Sequence, residues 1–259
     1  MSYTIADLLL AGSLMFGMIV LLEVGRRIGI RQIARDPDGS RTGLAVIDSA
    51  VFALLGLIIA FTFSGAMSRL DARRQLIIEE TNAIGTAYLR LRLLPASAQP
   101  GMQDKFRRYV DSRLAVYQKF PDIAAAKAEL AKSTMLQEEI WEQAVTASRA
   151  GDAHPDAGKL LLPALNEMID ITTTRAMATQ IHPPLILFVL LFGLSFGSAL
   201  LAGCGTAGGK YRSWLHSLCF CVAIAVGVYV ILDIEYPRFG VIRVDTFDQA
   251  LRDLRESMK

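Results

Sequence analysis

The residue types that most often bind metals or act as nucleophiles are sparse in this chain of 259 residues. The candidates are three cysteines and a histidine in one late stretch, Cys204, His216, Cys219 and Cys221. Cys219 and Cys221 would point to nearly opposite sides of a helix, and His216 with Cys219 lacks the paired ligand spacing of a zinc site. We therefore expect free thiols that behave as small apolar side chains, and we predict no metal and no cofactor.

No arrangement of residues typical of catalysis is found either. His154 and His182 each stand alone beside a proline. The segment GCGTAGGK resembles a phosphate-binding loop only in composition, because it lacks a preceding strand and a Ser or Thr after its lysine. We predict a flexible loop there, and a protein that is not an enzyme and does not bind nucleic acid.

The elements that must position these residues are membrane spans. Four stretches lack Asp, Glu, Lys and Arg, namely Leu8–Leu22, Ser49–Ser68, Pro183–Gly209 and Ser213–Leu232. A helix crosses the hydrocarbon core of a bilayer in about 20 residues. Because the mean hydropathy is also high, at +0.37, we predict a multi-pass protein of the lipid bilayer, with its first span retained as an uncleaved anchor.

The second span continues, without a helix-breaking residue, into a charged segment that reaches Leu94. From Arg69 to His182 the chain has 15 Lys plus Arg and 14 Asp plus Glu, with turn signals between helical lengths. The predicted fold class is an all-α membrane protein with four transmembrane helices and a helical soluble domain between spans two and three. The second span would extend as a long helix into that domain. The predicted domains are 1–68 (spans one and two), 69–182 (helical domain), 183–232 (spans three and four) and 233–259 (a tail with a short amphipathic helix).

The long helix has an apolar face and a polar face, for which we predict different contacts. Ile77, Ile84 and Leu91 are seven residues apart and predict a seam against another helix, in the same chain or a neighbouring copy. A second face is polar, formed by Glu79, Asn82, Thr86 and Arg90. It is either a plain solvated side or a wall that faces a pore or a subunit interface. Asp122 and Asp156, each after a proline, are predicted to cap the helices that follow them.

A long segment around the second span resembles the bestrophin-like family of uncharacterised bacterial membrane proteins: FALLGLIIAFTFSGAMSRLDARRQLIIEETNAIGTAYLRLRLLP. The match continues near the C-terminus in the pattern Asp-x-x-x-Pro-x-x-Gly, here Asp233, Pro237 and Gly240. Glu235 and Tyr236 depart from the acidic-then-basic pair expected before that proline. The resemblance covers essentially the whole chain and implies location in a bacterial inner membrane.

A more distant resemblance is to true bestrophins, which are pentameric anion channels whose second span lines the pore. It implies a homo-oligomer that conducts small anions such as chloride. A pore constriction would lie at Phe61, Thr62, Phe63 and Ser64, and positive charge at the pore mouth would come from Arg69, Arg73 and Arg74. The alternative for residues 61–64 is ordinary helix packing. The acidic clusters of the bestrophin calcium site are missing, so calcium gating is not predicted.

Two functions remain open from the sequence. One is an oligomeric, bestrophin-like ion channel; the other is a non-conducting membrane scaffold or sensor whose helical domain binds a partner or a ligand. The orientation also stays open. Five arginines between Arg26 and Thr42, with Lys210 and Arg212, favour an outside location for the helical domain. The bestrophin resemblance implies the cytosol.

Overall fold

The computed structural model describes residues 3–35, 42–119, 122–208, 214–238, 240–242, 244 and 246–258. Within these residues the chain is helical and has no strand. The helices are α1 (Tyr3–Arg35), α2 (Thr42–Arg90), α3 (Gln99–Gln118), α4 (Ile123–Ser148), α5 (Ala157–Ala178), α6 (Leu185–Gly205), α7 (Trp214–Glu235) and α8 (Gln249–Ser257). Arg41, Lys210 and Arg212, on which part of the orientation argument depends, lie outside the described residues.

In the described part of the chain, four helical segments are long and apolar enough to cross a membrane: Ile5–Arg35, Ala45–Leu93, Leu185–Gly208 and Trp214–Glu235. The predicted fold class, an all-α membrane protein, is therefore confirmed. The prediction that the second span continues as a long helix is also confirmed, because α2 is a single helix of 49 residues. It ends at Arg90, after which Leu91–Leu93 tighten into a short 3-10 helix. Pro95 follows closely, and a residue before a proline disfavours the helical conformation.

Contacts within the chain group it into two compact units. The first, which we call the membrane unit, consists of Met1–Arg69 and His182–Val241. The second, the helical unit, consists of Leu70–Ile181 and Ile242–Lys259. The residues of α2 are divided between them at Arg69.

The membrane unit has an apolar core and an unusually close contact between α1 and α6. Leu14 and Met18 of α1 are fully buried together with Leu191 of α6. A methyl group added at Gly25 would collide with the carbonyl of Leu200, and one added at Gly203 would collide with the carbonyl of Leu22. Glycine at both positions lets the two backbones meet, as in many transmembrane helix pairs.

The helical unit packs α3, α4, α5 and α8 with the charged half of α2. Its buried apolar side chains include Ile84, Leu91, Phe106, Met168 and Leu251. The predicted seam of Ile77, Ile84 and Leu91 is thus covered by helices of the same chain. Asp122 caps α4, since its carboxylate accepts from the backbone N–H of Ala125 at 3.0 Å. Asp156 directly precedes α5, as predicted, but the expected capping hydrogen bond is not made; its carboxylate lies 3.4 Å from Lys159 Nζ.

A buried ion network holds this unit together. Glu80 of α2 accepts from Arg113 Nε at 2.5 Å and from Arg175 Nη1. Arg175 also donates to Asp248, just before α8, at 3.0 Å. All four side chains are almost completely buried.

The charges of this network compensate one another. Burial by itself would lower the pKa of Arg113 and of Arg175, but Tyr117 and Glu80 beside them raise both values. The guanidinium groups therefore remain charged. A buried charge that keeps its partner is tolerated, whereas one that loses its partner is costly.

Gly203→Ala is expected to destabilise the membrane unit, because the added methyl group would have to push α1 away from α6. We expect a loss of roughly 1–3 kcal/mol, typical of overpacking, measured as unfolding of the purified protein in detergent. Gly193→Ala on the same helix is the matched control, since a methyl group there meets no atom within 4 Å. Equal stability of the two variants would contradict the close helix contact.

Glu80→Gln is expected to lower the free energy of unfolding of the helical unit by about 3–5 kcal/mol, because two buried arginines lose their common carboxylate. Denaturant unfolding followed by circular dichroism would measure it. The control is Glu139→Gln, which breaks a surface pair with Lys105 at 2.9 Å and should change stability little. A loss no larger than the control's would show that the network does not stabilise the fold.

Candidate functional site

One face of α2 is left uncovered by the described part of the chain. Exposed side chains recur on it every three or four residues, which is the period of a single helix face. We call this set the exposed face of α2; its members are Leu54, Leu57, Phe61, Ser64, Ser68, Asp71, Gln75, Glu79, Asn82, Thr86 and Leu89. Along the chain it changes from apolar, through hydroxyl-bearing, to polar and acidic.

The four residues predicted to line a pore do not share one environment. Phe61, with 65% of its surface exposed, and Ser64 belong to the exposed face of α2. Phe63 is also exposed, at 42%, but it lies about 200° around the helix from Phe61. Thr62 points away as well, and its hydroxyl donates to the carbonyl of Ile58 at 2.8 Å and can also reach that of Ile59 at 3.0 Å. Its hydroxyl is thus already bound to the preceding turn of α2.

Arg69, predicted to place positive charge at a pore mouth, is paired inside the membrane unit. Its Nε lies 2.9 Å from Glu235 Oε1, and its Nη2 donates to the same oxygen. Glu235, at the end of α7, is 1% exposed, and His182 Nδ1 lies 3.5 Å from its other oxygen. The His182 ring packs on Tyr236, with 4.8 Å between centroids. One buried carboxylate thus connects α2, α7 and the segment before α6.

Arg73 and Arg74 are engaged within the helical unit. Arg73 is buried and donates to the carbonyls of Ala178 at 3.2 Å and Ile181 at 2.9 Å, at the end of α5. Arg74 pairs with Asp71 at 3.0 Å, and its guanidinium lies 5.3 Å from the Phe247 ring centre. The charge of each arginine is therefore directed at its own chain.

The residues of the predicted polar face of the long helix differ in exposure. Glu79, Asn82 and Thr86 are exposed, and Glu79 accepts from Gln75 at 3.3 Å. Arg90 does not belong to this exposed polar face, because its guanidinium donates to the carbonyl of Leu160 on α5 at 2.6 Å. What remains on this face is one acid with amide and hydroxyl neighbours.

Sequence reasoning missed Glu235, Glu80 and Asp248, buried acids that each hold an arginine. A signal existed for the first two. Glu80 lies between Ile77 and Ile84 at helical spacing, so it falls on the apolar seam. Glu235 stood out as a departure from the expected family pattern.

An apolar crevice opens on the membrane unit beside α2. The space between its walls is about 510 Å³, including the part that is open to the surroundings. Its walls come from α2, the start of α6 and the end of α7, and its lining residues are Ile58, Phe61, Thr62, Gly65, Arg69, Pro183, Leu187, Phe188 and Ile231. A methyl group added at Gly65 would lie 3.3 Å from Arg69 Nη1, so the guanidinium folds back along α2 over this glycine.

The cysteines are free thiols. Cys204 donates to the carbonyl of Gly25 at 3.1 Å, Cys221 is buried, and Cys219 is exposed on α7. Within the described residues, no group of three or more His, Cys, Asp or Glu is arranged to hold a metal ion.

The fold of this chain is similar to that of solved bacterial membrane proteins. A structure of a bacterial bestrophin homologue from Klebsiella pneumoniae, a single-residue variant, is 15% identical and covers 95% of this chain and 98% of its own, with a TM-score of 0.68. Another structure, described as a membrane protein, is 16% identical over 94% of this chain and 98% of its own, with a TM-score of 0.66. At these identities the likeness shows a common fold. No curated protein matches the sequence significantly. The Bestrophin-like domain family matches residues 19–247, and the chain therefore belongs to the Bestrophin-like domain family.

Proposed function

We propose that this protein is an oligomeric ion channel of a bacterial inner membrane, with a pore lined by the exposed face of α2, and not an enzyme. The observation that carries the proposal is the composition of that face. A helix surface that changes from apolar to polar along its length, and that the described part of its own chain leaves uncovered, suits a water-filled path around a symmetry axis. The bestrophin resemblance supports an assembly of five copies.

The apolar part of the path would narrow at Phe61. Its ring is on the exposed face of α2, and a ring of phenylalanines from several copies can close a pore by excluding water. Ser64 and Ser68 follow on the same face and would offer hydroxyl groups to passing ions. Thr62 and Phe63 point elsewhere, so we assign them to helix packing or subunit contact.

The charges on the exposed face of α2 determine whether the pore would favour cations or anions. The anion preference predicted from the sequence requires free positive charge at Arg69, Arg73 and Arg74. Each of them is engaged within the chain, and helix geometry places each about 100° or more from the centre of the exposed face. Between Leu54 and Leu89 the charged members of that face are Asp71, which pairs with Arg74, and Glu79, which accepts from the amide of Gln75. Acidic rings attract cations, and we therefore propose that the pore favours small cations over anions.

The alternative function is a non-conducting scaffold or sensor whose helical domain binds a partner or a ligand. Leu89, Met135 and Met177 of the helical unit expose more than half of their surface, at 61%, 61% and 55%, and Met135 and Met177 lie outside the exposed face of α2. Absence of ion flux from a folded, oligomeric preparation would support this alternative.

Phe61→Ala is expected to raise ion flux in reconstituted liposomes, because it widens the constriction and admits water. Phe63→Ala is the matched control: the same substitution, on the same turn, but on another side of α2. It should leave flux close to that of the unchanged protein. Equal increases in both variants would show that the lining face is assigned incorrectly.

Glu79→Lys is expected to shift the reversal potential, measured in planar bilayers under a salt gradient. The shift would run from the equilibrium potential of the cation toward that of the anion. Glu79→Gln should give an intermediate value, because it removes the charge without reversing it. Glu138→Lys, on the exposed surface of α4, controls for a change in overall protein charge. An anion-selective unchanged protein, or equal shifts for positions 79 and 138, would overturn the proposed cation preference.

A further inference from the structure

We propose that the crevice beside α2 binds a membrane phospholipid, with one acyl chain along its apolar wall and the phosphate at Arg69. This proposal does not depend on ion conduction. It concerns the side of α2 where Ile58, Thr62 and Gly65 lie, next to Phe61 on the exposed face, and it would hold equally for a scaffold.

The walls of the crevice fit a hydrocarbon chain. Ile58, Leu187, Phe188 and Ile231 present aliphatic and aromatic surface, and the hydroxyl of Thr62 is already bonded to its own backbone. Ile58 and Arg69 are eleven residues apart on one helix, which corresponds to about 16 Å. A groove of this length that is open on one side can lie along part of an acyl chain.

Arg69 supplies the polar end. The hydrogen bonds it makes within the described residues use Nε and Nη2, both directed at Glu235. Nη1 lies over Gly65, at the crevice, and its two N–H groups can donate to phosphate oxygens. Arginine is well suited to this role, because its planar group can serve a carboxylate and a phosphate at the same time.

The two ends of the crevice match the two regions of a lipid monolayer. Arg69 directly follows Ser68, the last residue of the uncharged span, and Pro183 begins the next uncharged stretch. This end therefore belongs at the membrane interface. Ile58 lies three turns back into the span, at a depth occupied by acyl chains. A lipid would enter with its phosphate at Arg69 and its chain pointing toward Ile58.

The test uses the full chain in liposomes that contain phosphatidylglycerol with a diazirine on one acyl chain, followed by mass spectrometry of the photo-adducts. We expect adducts at Ile58, Leu187 or Phe188. Leu187→Trp should fill the crevice and lower their yield about tenfold, as expected when buried methylene groups are displaced. Leu190→Trp is the matched control, one turn along α6 at a site that is 43% exposed.

The phosphate contact is tested separately with diacylglycerol that carries the same reactive chain. The unchanged protein should label more strongly with the phospholipid than with diacylglycerol. The double variant Arg69→Gln/Glu235→Gln, which removes both partners of the ion pair, should label equally with both lipids. If that variant does not fold, the comparison of the two lipids on the unchanged protein still decides the point.

Three outcomes would overturn the proposal. Adducts spread evenly over Ile186, Val189 and Leu190, unchanged by Leu187→Trp, would indicate ordinary surrounding lipid only. No adducts in the crevice, although lipid labels the rest of α6, would mean that another part of the assembly, such as a second copy, fills it. Equal labelling by the two lipids in the unchanged protein would show that Arg69 does not bind the phosphate.

Discussion

The uninterrupted backbone hydrogen bonding of α2 is the constraint on which the rest of the structure depends. In hydrocarbon a backbone N–H or C=O has no water to bond with, so the spanning part must be fully helical. The helix then continues without a proline to Arg90. One helical register therefore decides which side chain faces the apolar seam, the crevice or the exposed face. A residue inserted anywhere in α2 would rotate every later side chain by about 100°.

Buried acids determine where Arg69, Arg113 and Arg175 point. Glu235 holds Arg69, and Glu80 holds Arg113 and Arg175. Removing a carboxylate or a guanidinium from water is costly unless a partner is present, so each buried acid dictates where its arginines point. The number of arginines near a span consequently says little about the charge offered to an ion. Geometry decides which charges remain outward, and here the outward ones on α2 are acidic.

The sequence was sufficient for the spans, the long helix and the seam, because apolar runs and helical periodicity act locally. The cap at Asp122 was predictable for the same reason. The failed cap at Asp156 shows the limit, since Lys159, one turn along α5, takes up its carboxylate. The partners of Arg69 and Arg73 could not be predicted, as they lie more than a hundred residues away along the chain. Thr62 was assigned to the lining from its position, but helix rotation turns it away from Phe61.

The helical unit cannot complete its core until α8, near the end of the chain, has been synthesised. Leu251 and Met258 are fully buried in the core of the helical unit, and Asp248 belongs to its ion network. These residues emerge from the ribosome only after α6 and α7 have been made and delivered to the membrane. Until then the helices between spans two and three lack part of their core. During that interval the unfinished unit is vulnerable to proteases and to aggregation, and it is a natural client for a chaperone.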